Sequence, residues 1–318
     1  MYHEARIGVV VPCHNEQLLI TRVLDTMPDY VDCIYVVDDV STDQTTTIVE
    51  DYIRTTGTQR VTLIKHQINQ GVGGAIVTGY KQAAQDGMAV IAVMAGDAQM
   101  DPEDLHLIVE PVADGRADYT KGNRLTSGEA WTQIPRVRYI GNVFLSLMTK
   151  VASGYWHIFD SQTGYTAISR QAIETIDLDG LWKRYGYPNH LLVMLNINNF
   201  SVADIPVKPV YGIGEKSGIR IWRVIPSISL LLLRGFIQRL FFKYIVRDAH
   251  PLVLFYFFGT LTFIPGLIFG LALLYHRFFR GNVAPTTALF AMFLVMFGLN
   301  FLMFALWFDM DANKHLKR

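Results

Sequence analysis

Val90–Asp104, VIAVMAGDAQMDPED, is an apolar run that stops abruptly in a small-residue turn carrying Asp97, Gln99 and Asp101. It reads as a buried strand that delivers a carboxylate to the edge of a sheet. In open α/β sheets ligands bind in the crevice beyond the carboxyl ends of the strands, so Asp97 is the leading candidate for chemistry. Asp101 precedes Pro102, the arrangement of an N-cap followed by proline at the first helical position, and its expected role is to start a helix.

Working outward, residues 7 to 121 alternate short apolar runs with amphipathic stretches. Strands are expected at Ile7–Val11, Cys33–Val37, Val61–Ile64, Ala89–Met94 and Asp118–Lys121, and helices near Gln17–Met27, Thr45–Thr55, Gly74–Asp86 and Pro102–Asp114. That alternation predicts an α/β fold, a mainly parallel twisted sheet with helices on both faces. From Ser127 to Asn199 the pattern loosens into loops and helices rich in aromatics: Trp131, Tyr155, Trp156, Tyr165, Trp182, Tyr185 and Tyr187. This stretch is either an acceptor-side elaboration of the same domain or a second small core.

At 51% hydrophobic residues the 318-residue chain is too apolar for an ordinary soluble enzyme. The excess lies in 251–275 and 284–308, each free of charge and long enough to cross a hydrocarbon core, which takes roughly 20 helical residues. They read as a transmembrane hairpin, with two buried core helices as the alternative. Arg234, Arg239, Lys243 and Arg247 precede the first span and Lys314, Lys317 and Arg318 follow the second, against Arg277 and Arg280 between them. That bias favours a cytoplasmic N-terminal domain and C-terminus. Ile219–Val246 mixes apolar runs with cations and reads as two interfacial helices split by Pro226, whose cations snorkel to headgroups. The expected organisation is a catalytic domain over 1–218, amphipathic juxtamembrane helices over 219–247 and the hairpin over 248–318. The chain enters its first strand pattern with no signal peptide. Cys13 and Cys33 form neither a disulfide framework nor a metal-ligand spacing, and zero net charge argues against a nucleic-acid binder.

Two further motifs end strands: Pro12-Cys13-His14-Asn15-Glu16, and Asp38-Asp39-Val40-Ser41-Thr42-Asp43 after Val37. A carboxylate there can accept hydrogen bonds from a base or ribose. Ser41 and Gln44 have capping-box spacing, so Ser41–Asp43 is also readable as a helix start. Asn69-Gln70-Gly71-Val72-Gly73-Gly74 joins the third strand to a helix as a tight turn or a close backbone approach to phosphate, and it matches neither a P-loop nor a Rossmann fingerprint. One carboxylate such as Asp97, with Gln99 nearby, suffices for Mg²⁺ or Mn²⁺ when a nucleotide diphosphate supplies further oxygens.

Taken in order, VVVPCHNE, VVDDVSTD, NQGVGGA, VMAGDAQMDPEDL, KGNRL, DSQTGYTAISR and GEKSG resemble the family 2 glycosyltransferases of GT-A fold, and most closely their polyprenyl-phosphate branch. The resemblance covers about residues 5 to 220. It implies a nucleotide-sugar donor linked to UDP or GDP, a divalent cation (Mg²⁺ or Mn²⁺), and transfer with inversion to a lipid phosphate such as undecaprenyl or dolichyl phosphate. It further implies that Pro12, His14, Glu16 and Asp39 contact the nucleoside, that Val37, Gly71 and Gly96 are further nucleotide-sugar-binding positions, that Asp97 and Gln99 hold metal and diphosphate, and that Asp160, Gln162 and Thr163 line the sugar side. Arg124 and Lys216 match positive positions near the donor diphosphate or acceptor phosphate; Arg136 and Arg138 are further cations, and His190 is either a base or a buried structural histidine. Three departures stand out. Ala95 replaces the first carboxylate of an Asp-x-Asp motif, His14 stands where an aromatic often stacks on the base, and Tyr187-Pro188-Asn189-His190 lacks a carboxylate that some relatives use as general base. Alternatives are a diacylglycerol or glycan acceptor, or a non-catalytic nucleotide-sugar-binding scaffold. A two-span hairpin is also compatible with self-association into a homo-oligomer.

Overall fold

The computed structural model describes residues 5–126, 136–208, 210 and 221–318, which fall into two compact units: 5–237 with 315–318, and 238–314. In the first unit β1 (Ile7–Cys13), β2 (Cys33–Asp38), β3 (Val61–Lys65), β4 (Val90–Val93), β5 (Tyr119–Asn123), β6 (Thr166–Ser169) and β7 (Val202–Pro206) form one sheet in the order β3-β2-β1-β4-β6-β5-β7. β1 pairs in parallel with β2 and β4, and β2 pairs in parallel with β3. β6 runs antiparallel to both β4 and β5, while β5 and β7 are parallel. All seven residues of β1 are buried, as the central strand of a sheet covered on both faces requires.

The crossovers are α1 (Ile20–Asp25), α2 (Thr45–Thr56), α3 (Val72–Gln85) and α4 (Leu105–Ala113). Side chains alternate along β1 and β2. Val10 and Val37 join Tyr80 of α3 in one core, while Val9, Val11 and Val36 join Leu24 of α1 and Ile108 of α4 in the other. Asp101 accepts from the Glu103 amide at 3.0 Å with Pro102 at the first position of a short 3₁₀ turn, the cap expected from the sequence. The Ser41–Gln44 capping box does not form: α2 starts at Thr45, whose amide and hydroxyl both go to Asp43, and Ser41 instead accepts from the Asn15 amide.

The stretch 127–199, expected to hold only loops and helices, contributes β6 as well as α5 (Arg136–Ser153), α6 (Arg170–Thr175) and α7 (Tyr187–Ile197). Its aromatics do not make a second core. Tyr155 and Tyr187 enter the core under α3 and Tyr165 enters the opposite one, because β6 inserts this region into the middle of the sheet. Trp131 lies outside the described residues. α8 (Ile221–Arg239) continues through Pro226 rather than splitting there. A proline in the second turn of a helix removes a single ladder bond, and the helix instead changes character at Leu240–Arg247, which is π-helical. The first unit runs past residue 218 to 237 because Ile228 and Leu232 pack with Leu145 and Val193.

In the second unit α9 (Leu252–Phe279) and α10 (Pro285–Asn313) form a hairpin. Both helices are long and apolar enough to cross a membrane and are mostly exposed. Their buried faces carry small residues at intervals of seven, Gly259 and Gly266 on one helix and Ala291, Gly298 and Ala305 on the other. A heptad spacing keeps one seam facing its partner helix. Arg239 and Lys243 do not snorkel: both are buried, Arg239 on Asp309 (2.7 and 3.0 Å) and Lys243 on the Asn313 side-chain oxygen (2.9 Å). Tyr244 donates to Asp309 and accepts from Asn313. Charges removed from water need such partners.

A Cβ at Gly298 would sit 2.4 Å from the Phe263 backbone nitrogen, so Gly298→Val is expected to force the helices apart. The cost should be about 1–3 kcal/mol, read as a lower melting temperature of the detergent-solubilised protein.

Candidate active site

β1, β2 and β4 run in parallel, so their carboxyl ends share one edge. There the Gly96 amide reaches the Pro12 carbonyl at 3.3 Å, tying the end of β1 to the turn after β4. Within that turn Asp97 accepts from the Gln99 amide at 3.1 Å, and Ala98 adopts a left-handed φ of 55°. Glu16 closes the loop after β1. Burial, then the neighbouring Asp97 and Asp43, push its carboxyl up to about 7. Two carboxylates that resist joint ionisation mark a place suited to a cation.

Asp39 is buried and accepts from three protein donors: the His66 ring at 2.8 Å, the Gln70 amide at 2.8 Å and the Gly71 amide at 2.7 Å. Its backbone carbonyl accepts from His14 at 2.9 Å and Asn69 at 3.0 Å. Asp39 thus clasps the turn after β3, where Gly71 holds φ 83° and a Cβ would meet the Lys183 carbonyl at 2.6 Å. Only part of its acceptor capacity is left for a nucleoside. His66, whose other nitrogen bonds Thr78 at 2.9 Å, was missed from the sequence because a lone histidine after a strand gives no signal. Val40 carries φ 61°, a strained state for a β-branched residue.

Arg124, at the end of β5, forks onto Asp160 at 2.8 and 3.3 Å. Asp160 is fully buried and also accepts from the Gln162 and Thr163 amides. Burial pushes its carboxyl up, but the Arg124 charge and hydrogen bonds prevail and hold it below the ordinary carboxylate range. Beneath lies Lys121, wholly buried, donating to the Thr163 carbonyl at 2.6 Å; burial brings its ammonium down to about 7. An inward lysine on a strand gave no cue in the sequence beyond the KGNRL run itself.

A cavity of about 290 Å³ opens at this edge. Of the residues singled out in the sequence, Pro12, Asp97, Gln99, Arg124, Gln162 and Thr163 line it. His14, Glu16, Val37, Asp39, Gly71, Gly96 and Asp160 are not in its wall, and Val37 belongs to the core. His190 is buried, accepts from the Trp182 amide at 3.1 Å and does not line the cavity. Lys216 lies outside the described residues, as does the side chain of Arg138; Arg136 is exposed. An apolar wall of Ile76, Leu145, Tyr187 and Ile228, with half-exposed Tyr185, completes the cavity. Among the described residues no group of three or more His, Cys, Asp or Glu is arranged to hold a metal by itself.

Residues 8–177 match the family model described as Glycosyl transferase family 2. The chain is 28% identical over 216 residues to UDP-N-acetylglucosamine--dolichyl-phosphate N-acetylglucosaminyltransferase of Methanococcus voltae, covering 64% of this chain and 86% of that one. It is 27% identical over 242 residues to polyprenol monophosphomannose synthase of Mycolicibacterium smegmatis, covering 74% and 89%. Among solved structures, glucosyl-3-phosphoglycerate synthase from Mycobacterium tuberculosis with Mn²⁺, UDP and glucosyl-3-phosphoglycerate gives a TM-score of 0.54 at 18% identity over 74% of this chain and 80% of that one, a likeness of fold.

The Glu16 shift has a sign. Its carboxyl is raised from 4.5 to about 7 on folding, so the folded state binds the extra proton and stability falls as pH rises through that window. Glu16→Gln should therefore melt close to wild type at pH 4 and above it at pH 8, measured with a chelator present.

Proposed function

The chain belongs to glycosyl transferase family 2, and on that premise we propose that it moves a sugar, with inversion, from a UDP- or GDP-linked donor to polyprenyl phosphate at the cytoplasmic face of a membrane. The observation that carries this reading is the cavity, whose lining combines Asp97, Gln99 and Arg124 with apolar Ile76, Leu145, Tyr187 and Ile228. A phosphate monoester is already largely anionic near neutral pH, with a second pKa of about 6, so it needs a cation and positioning rather than a base. Arg124 supplies a guanidinium in the cavity wall, whereas His190 has a ring nitrogen committed to the Trp182 amide. The printed activities of the two relatives, on dolichyl phosphate and as a polyprenol monophosphomannose synthase, support the same acceptor class.

The donor set fits Mg²⁺ or Mn²⁺. Asp97 and Gln99 line the cavity and would offer a carboxylate and an amide oxygen, with the diphosphate supplying further oxygens. Such a cation, when bound, neutralises charge on the departing nucleoside diphosphate. The protein's own share is orientation. The Asp160 fork aims Arg124, and the Asp160 contacts to the Gln162 and Thr163 amides fix the loop beside it. The anionic acceptor attacks the anomeric carbon as the bond to the diphosphate breaks, which inverts that centre.

α9 and α10 are long and apolar enough to cross a membrane, and in our reading two stripes in the first unit give that unit a membrane contact of its own. α5 exposes Ile140, Val143, Phe144 and Leu147, an i, i+3, i+4, i+7 stripe, and α8 exposes Leu230, Leu233 and Ile237. Such faces suit the headgroup boundary. They belong to the two helices whose Leu145 and Ile228 line the cavity, which would bring a lipid phosphate to it from the membrane surface.

Asp97→Asn should lower transfer at least about a hundredfold while the melting temperature holds. The assay is radiolabelled sugar from a panel of UDP and GDP donors to polyprenyl phosphate in detergent with Mg²⁺ or Mn²⁺, counting chloroform-soluble product. Undiminished transfer by a folded variant would remove Asp97 from the mechanism.

A further inference from the structure

We propose that Asn189 is a positioning residue: its amide fixes the side chain of Gln162, and through Gln162 the cavity selects a hydroxyl or acetamido group of the transferred sugar. The proposal rests on the transferase reading above. Asn189 is the third residue of α7, directly after the cavity-lining Tyr187 and Pro188, and it is fully buried. Gln162 lines the cavity. Its Nε2 donates to Ser161 Oγ at 2.7 Å and to Asn189 Oδ1 at 3.2 Å. Ser161 is itself held by Ser146 of α5, hydroxyl to hydroxyl at 3.1 Å and amide to hydroxyl at 3.1 Å. Both amide protons of Gln162 are therefore spent on the protein, and Oε1 is the atom it has left for a ligand.

Asn189 Nδ2 is buried and has no hydrogen-bond partner. An unmet buried donor costs stability, and this cost offsets what the Oδ1 bond to Gln162 contributes. The asparagine is therefore better accounted for by holding Gln162 in place than by stability. Asn189 itself is not in the cavity lining, so Gln162 Oε1 is the acceptor this linked pair has left for a ligand. A sugar hydroxyl or an acetamido N–H can donate to that oxygen; a phosphate oxygen, an acceptor only, cannot. Sites built to hydrogen-bond a substrate group discriminate strongly against analogues lacking it.

The test compares wild type, Asn189→Leu, Gln162→Leu and the double variant, reading kcat/KM for UDP-glucose, UDP-N-acetylglucosamine and GDP-mannose with polyprenyl phosphate, alongside melting temperature. Asn189→Leu removes both the unmet donor and the acceptor for Gln162, so it should melt close to wild type, lose about tenfold in kcat/KM on the preferred donor, the worth of one hydrogen bond, and flatten the preference across the panel. A preference between the glucose and N-acetylglucosamine donors in wild type separates the hydroxyl from the acetamido case. The double variant should be no worse than Gln162→Leu, because the two residues act as one. Losses that multiply, or an unchanged preference with a lowered melting temperature, would make Asn189 merely structural and overturn the proposal. Should Asn189→Leu not fold, Asn189→Ser is read by the same criteria. If wild type turns over no donor, the acceptor assignment fails separately, and calorimetric binding of the same donors still decides the pairing: Asn189→Leu must weaken the tightest donor.

Discussion

A carboxylate taken out of water must be given donors, given a cation, or keep its proton, and this constraint shapes both units. Asp39 takes the first course, with three protein donors that bind the turn after β3 to the end of β2. Asp160 takes the second, with Arg124 forked on it, and Asp309 does the same with Arg239. Glu16 takes the third, its carboxyl pushed up to about 7 by burial and then by Asp97 and Asp43. The loops at the sheet edge are held less by apolar packing than by these separate solutions to one electrostatic problem.

Their different outcomes divide the labour at the edge. Asp39 and Asp160 brace the loops at this edge, and Asp39 keeps part of its acceptor capacity for a ligand. Asp97 and Arg124 stand in the cavity wall, where a diphosphate and an acceptor phosphate would need opposite treatment. Ala95 adds no charge to the cavity lining, which would suit a site that admits two phosphorylated partners. Coulomb repulsion at such distances is large in a partly dehydrated cleft.

Much of this was legible in the sequence. The β1–β5 runs and the first four helices follow from apolar periodicity, and Asp97 from its place at a strand end. β6 was not legible, because Thr-Ala-Ile-Ser is four residues long and becomes a strand only through its register against β4 and β5. The roles of Asp39 and Lys121 were hidden for a related reason: a carboxylate after a strand reads the same whether it faces a ligand or braces a loop, and only the approach of Gln70, Gly71 and Thr163 from distant segments distinguishes them. Arg239 and Lys243 looked like snorkelling cations because Asp309 and Asn313, their partners, lie about seventy positions further along. Pattern reading sees neighbours in sequence, and each miss involved a neighbour in space.

The last described residues return to the sheet: Lys317 bridges Val202 of β7 in parallel, and the Arg318 amide donates to the Val202 carbonyl at 3.2 Å. The apolar hairpin is therefore an insertion, with residues of the catalytic unit on either side of it in the chain. A ribosome makes those flanks at different times. At the start of the β7 edge, where unpaired backbone groups can recruit other strands, Val202 is paired only after both long helices have been synthesised. Pairing at that position is thus coupled to the order of translation, and a chain stalled before the second span would lack it.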